Sequence, residues 1–131
     1  MPPVSEFMTS AAFTIGPDQT LSSAHHVMRE HQIRHLPVVH EGRIVGIVSQ
    51  RDLHVIETLQ DVDPDEVTVD DAMSEDVVMV APEAPLDEVA AMMVERRLGS
   101  VVVVRDDHLQ GIFTTTDALV ALTTILRRIT A

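Results

Sequence analysis

A chain of 131 residues has room for one compact domain, or for two small halves that share a core. Apolar side chains make up 45% of it, yet the aromatics are only Phe7, Phe13 and Phe113, so Val, Ile, Leu, Met and Ala must fill a β/α interior. The formal charge of −12, with all nine basic residues Arg, disfavours nucleic-acid backbones and anionic membranes, and the lack of cysteine excludes disulfides and thiolate-held metal.

Met1 to Ser10 carries neither the basic start nor the apolar run of a secretory signal, and no apolar stretch is long enough to cross a bilayer. A soluble, cytoplasmic protein is therefore expected. The first element is a short extended piece, Phe13 to Ile15, which turns at Gly16-Pro17-Asp18, where proline fixes the chain direction. A helix follows, with Leu21, Ala24, Val27 and Met28 at the three-and-four spacing of one buried stripe. Leu36 to Val39 and Ile44 to Val48 read as strands, joined in a hairpin by the polar turn Glu41-Gly42-Arg43. A second helix opens at Ser49. Asp61 to Asp70, with a proline and a cluster of acids, reads as a solvated linker.

The pattern then recurs. A shift of 65 positions lays Met8 to Asp52 over Met73 to Asp117 without a gap, with identities that include Met8/Met73, Pro17/Pro82, Leu21/Leu86, Met28/Met93, Gly46/Gly111, Ile47/Ile112 and Asp52/Asp117. Val77 to Val80 repeats the extended piece, Leu86, Val89, Ala90 and Met93 repeat the helix stripe, and Val101 to Val104 with Leu109 to Phe113 repeat the hairpin around Asp106-Asp107-His108. The expected organisation is a repeat over 7–60, a linker over 61–70, a second repeat over 71–122 and a helix end over 123–131. Each half alone would bury too little apolar surface, so the two should pack together.

The sharpest motif is Gly46-Ile-Val-Ser49-Gln-Arg-Asp52, echoed by Gly111-Ile-Phe-Thr114-Thr-Thr-Asp117. A glycine before the strand end would let a flat group approach the backbone. A hydroxyl and free amides at a helix start can meet phosphate, and an aspartate one turn in can accept from both hydroxyls of a ribose. The same Ser-x-x-Asp and Thr-x-x-Asp spacing is that of a capping box, in which both side chains serve the helix's own amides. Spacing leaves the two readings open.

With Asp71-Ala-Met73-Ser and His35-Leu-Pro-Val-Val39 in the right order beside these motifs, the chain resembles a tandem pair of CBS domains, a Bateman module. The resemblance implies an α/β fold of two β-α-β-β-α repeats packed with pseudo-twofold symmetry, and two clefts between them for adenosine compounds such as AMP, ADP, ATP, S-adenosylmethionine or NAD. It implies a first site in which Asp52 holds ribose, Ser49 meets phosphate, Ile47 and Leu98 sandwich the base, and Arg34, His35 and Arg51 supply positive charge, edged by backbone near 72–75. A second site would use Ile33, Ser100, Ile112, Thr114 and Asp117, edged by backbone near 8–10. Gly99, Ser100 and Thr116 stand where the first site has Arg34, His35 and Arg51, so the first site should take polyphosphates better.

No nucleophile elbow and no arguable pair of buried carboxylates is present, so the chain reads as a regulatory module and not an enzyme, with no required cofactor. A homodimer through its helices and an effector protein are the implied partners. The rivals are an interaction scaffold with empty clefts and, more weakly, a metal-responsive sensor using histidines, although no recognised ligand spacing joins the seven of them.

Overall fold

A computed structural model describes residues 1–10 and 13–130. Ala11 and Ala12 of the expected first repeat, and Ala131 of the expected helix end, lie outside the described residues. In chain order the elements are β1 (Thr9–Ser10), α1 (Leu21–His31), β2 (His35–His40), β3 (Arg43–Ser49), α2 (Gln50–Glu57), β4 (Met79–Val80), α3 (Leu86–Arg96), β5 (Ser100–Arg105), β6 (His108–Thr114) and α4 (Thr115–Thr130). Both hairpins and all four helices fall where the sequence pattern predicts them.

Two compact units emerge, and their boundaries do not follow the repeat register. One unit is Ala12–Val77, and the other combines Met1–Ala11 with Val78–Ala131. In the second unit a four-stranded sheet runs β1-β6-β5-β4, with Thr9 opposite Ile112 and Ser10 opposite Gly111. In the first unit β2 pairs with β3, Ile15 bridges Val38, and Ser74 bridges Ile47. The order is the same in both, and each takes one of its two outer segments, Thr9–Ser10 or Ser74, from the sequence of the other repeat.

The linker expectation needs correction. Val69 is fully buried, and Val69–Asp71 forms a 3-10 turn whose Val69 and Asp70 amides donate to the Gln19 and Pro17 carbonyls. The stretch before it is docked as well: Val67 packs against the same core as Val69, and the Val67 and Pro64 carbonyls accept from the Leu21 and Ser22 amides at the start of α1. Val4, 65 positions earlier, is equally buried in the turn Val4–Glu6 and caps the other core.

Each core is the expected stripe set. Leu21, Ala24 and Met28 of α1 meet Leu36, Val38, Val48 and Leu53 in the first unit. Leu86, Val89 and Met93 of α3 meet Val101, Val103, Phe113 and Ala121 in the second. Full burial of each such aliphatic side chain stabilises by about 1.5–3 kcal/mol against exposure. The hairpin turns place Glu41, Gly42, Asp106 and Asp107 all at positive φ, between 50° and 77°, the mirror-image turn whose twist suits a two-residue hairpin. Helices α1 and α3 end on Gln32 and Arg97 in the left-handed region, after which the Ile33 and Leu98 amides reach back to the Met28 and Met93 carbonyls.

Candidate functional site

The two strand–helix junctions are built alike. Ser49 is extended (φ −108°, ψ 161°) and caps α2: its hydroxyl accepts from the Asp52 amide at 3.1 Å, while Asp52 Oδ2 accepts from the Ser49 amide at 2.8 Å. Thr114 and Asp117 do the same for α4, at 3.2 and 2.9 Å. The capping reading of the motif is thus realised in both repeats. It accounts for about 1 kcal/mol of helix stability per cap.

Capping also reduces the amides left for a phosphate. The Gln50 amide donates to the Arg34 carbonyl at 2.8 Å, and the Thr115 amide to the Gly99 carbonyl at 3.1 Å. Among the described residues, only the Arg51 and Thr116 amides of these first turns have no acceptor.

The glycines serve a different purpose from the one expected. A Cβ on Gly46 would lie 2.6 Å from Met73 Sδ and 2.9 Å from the Ser74 carbonyl, and one on Gly111 would lie 2.5 Å from the Thr9 carbonyl. The chain's own segment fills that space, held by paired bonds between Ile47 and Ser74 of 2.8 and 2.9 Å. No flat ligand needs the room.

In the first unit the fold gathers His35, Ser49 and Asp52, since His35 and Ser49 are register partners in β2 and β3. Burial pushes the His35 imidazole below its ordinary value of 6.5, an effect that nearby Asp52 opposes and Arg34 reinforces. Ile47 is half-buried beside Ser74, and Arg51 is exposed on the first turn of α2. Leu98 belongs to the other unit and packs against that unit's core. In the second unit Ser100 and Thr114 are register partners and Ile112 pairs with Thr9. Ile33 belongs to the first unit and packs against its core.

Two residues that sequence reasoning passed over matter here. The Thr9 hydroxyl donates to Asp117 Oδ1 at 3.1 Å, a contact signalled only by the repeat pair Thr9/Ser74. Arg29 joins Arg34, Gln32 and Gln50, over Met28 and Ile33, around a cavity of about 380 Å³. Among the described residues no group of three His, Asp or Glu is arranged to hold a metal.

The CBS domain model matches residues 4–55 and 69–124. The chain belongs to the CBS domain family. A Vibrio cholerae structure described as an acetoin utilization protein (AcuB) superposes with a TM-score of 0.87 at 35% identity, covering 97% of this chain and 94% of that one. The CBS domain pair of protein MJ0100, solved with 5′-methylthioadenosine and S-adenosyl-L-methionine, gives a TM-score of 0.86 at 25% identity over 95% and 98% of the two chains. Inosine-5′-monophosphate dehydrogenase of Methanocaldococcus jannaschii is 33% identical over 116 residues, 87% of this chain, but this CBS pair spans only 22% of that enzyme's length. No helix among the described residues is long and apolar enough to cross a membrane.

Proposed function

We propose that this CBS pair is a regulatory module that binds an adenosine compound, with AMP, ADP and ATP ahead of S-adenosylmethionine and NAD, and relays occupancy to a partner protein. The observation that carries the reading is at Asp52. One oxygen caps α2 while Oδ1 has no partner among the described residues, beside His35 and the adjoining Arg34. A carboxylate with a free oxygen, beside an Arg34 guanidinium and a buried imidazole that can hydrogen-bond, offers a ribose phosphate both an acceptor for its hydroxyls and a positive charge. The adenosine compounds held by the MJ0100 pair support the ligand class. The module works as a cytoplasmic homodimer and performs no chemistry of its own.

Thermal melting with each of the five compounds tests this. A true ligand at 100 times its Kd stabilises the fold by about 2.7 kcal/mol. Because Asp52 also caps its helix, Asp52→Ala should lower the unliganded melting point, whereas Asp52→Asn keeps an acceptor for the Ser49 amide. Loss of the ATP or AMP shift in both variants supports the site. No shift with any compound on the wild-type protein transfers the function to the interaction-scaffold reading, which the exposed Leu119, Leu122, Leu126 and Ile129 of α4 favour.

A further inference from the structure

We infer that Thr9 decides which of the two strand–helix junctions accepts a ribose, an inference that rests on the adenosine reading above. The two junctions share the reciprocal cap between hydroxyl residue and aspartate, and beyond their differing cations they differ in what else touches the aspartate. Both oxygens of Asp117 are engaged. Its Oδ2 accepts from the Thr114 amide at 2.9 Å and the Thr114 hydroxyl at 3.2 Å, and Oδ1 accepts from the Thr9 hydroxyl at 3.1 Å. Thr9 also lies within 3.3 Å of Oδ2, so its hydroxyl sits across the open edge of the carboxylate.

A ribose presents two adjacent hydroxyls, and a carboxylate meets both only along that open edge. At Asp117 the edge is taken by a hydroxyl that belongs to the protein and is supplied at no entropic cost of association. At Asp52 it is free among the described residues. Ser74 occupies the position equivalent to Thr9, yet its hydroxyl turns away and accepts from the Asp76 amide at 3.3 Å, leaving Asp52 Oδ1 open.

The difference is set by the backbone as well as by the side chain. Thr9 lies in β1, in register with Ile112, and its carbonyl closes against Gly111, so Cβ is fixed over Asp117. Its branched side chain has few rotamers in a strand, whereas Ser74 is free to choose another partner. A ligand entering the second junction must break the Thr9 bond before its ribose can be held. The first junction therefore fills first, independently of the missing cations at Gly99, Ser100 and Thr116.

The test separates the contact from the ligand. Without ligand, a double-mutant cycle of Thr9→Val and Asp117→Ala on thermal unfolding should be non-additive; additive losses would overturn the inference whatever binds. With AMP as the probe, calorimetric titration of Asp52→Ala isolates the second junction. Adding Thr9→Val to that variant should tighten AMP binding about tenfold, the worth of one charge-assisted hydrogen bond at the low end of its range. Equal affinities with and without Thr9 would overturn the gate even if the cycle is non-additive. Failure of wild-type and Thr9→Val proteins alike to bind AMP would instead sink the adenosine reading, and the ribose gate with it.

Discussion

Asp52 and Asp117 carry two duties that compete for the same oxygens. At Asp117 three donors from the chain itself absorb the carboxylate, so a reading that treats the residue only as a helix cap suffices for that unliganded junction. At Asp52 one donor is present and the ligand reading survives on the remaining oxygen. The motif's residue types were legible in sequence because both duties demand them. Which duty prevails was not, since it turns on a hydroxyl, Thr9, that lies 108 positions from Asp117 in the chain. His35 gives this junction a pH signature. Burial depresses its pKa below 6.5, so the unfolded chain takes up a proton that the folded chain refuses as pH falls. Stability associated with His35 is full above about pH 6.5 and is lost as pH drops through the folded value. His35→Gln should flatten the fall in unfolding free energy between about pH 7 and 5, measured by urea titration. An unchanged slope would mean that Asp52 fully offsets the burial.

At the scale of elements, helices and hairpins were readable because their periodicities are local. The stripe of α1, Leu21, Ala24 and Met28, is buried as its spacing requires, and the hairpin of β2 and β3 closes on the expected turn. The short outer segments were not readable in the same way. Met8-Thr9 and Met73-Ser74 are near copies, so either could serve either sheet, and pattern alone does not choose. The glycine on each receiving strand makes room for such a segment, and the pairing itself, Thr9 with Ile112 and Ser74 with Ile47, shows which copy docks where. Gly46→Ala should push on the Ser74 carbonyl and Gly111→Ala more severely on the Thr9 carbonyl, each costing about 1–3 kcal/mol in chemical denaturation. An Ala at Gly111 that is tolerated without loss would mean β1 does not sit against β6 in solution. The helix ends offer the opposite experiment. Arg97 holds φ at 57°, a conformation that costs an L-residue about 1 kcal/mol, and its side chain is exposed. Arg97→Gly should relieve that strain, less the entropy glycine gains on unfolding, and raise the melting point by about 2 °C.

For the molecule as a whole, the repeat is the strongest signal, and it extends further than Met8 and Met73. Continuing the 65-residue shift back to Val4 and Val69 finds one more identity, and both side chains are completely buried. The acids around Val69 give 61–70 the composition of a linker, while a single valine decides how its end packs. The other whole-molecule question is assembly, and α4 poses it. Ala118, Ala121 and Ile125 face the core of their own unit. Leu119, Leu122, Leu126 and Ile129 form a second stripe at three-four-three spacing, exposed by 64%, 53%, 51% and 74%. A helix apolar on two faces is stable in water only when both are covered, and the outer spacing is that of a seam between helices. A second copy covering it would give a particle of twice 14.4 kDa in light scattering. Leu126→Glu leaves the unit's own core untouched, so it should yield a folded monomer with its circular dichroism intact. A Leu126→Glu protein that remains a dimer would place the association on another surface and leave the α4 stripe for an effector.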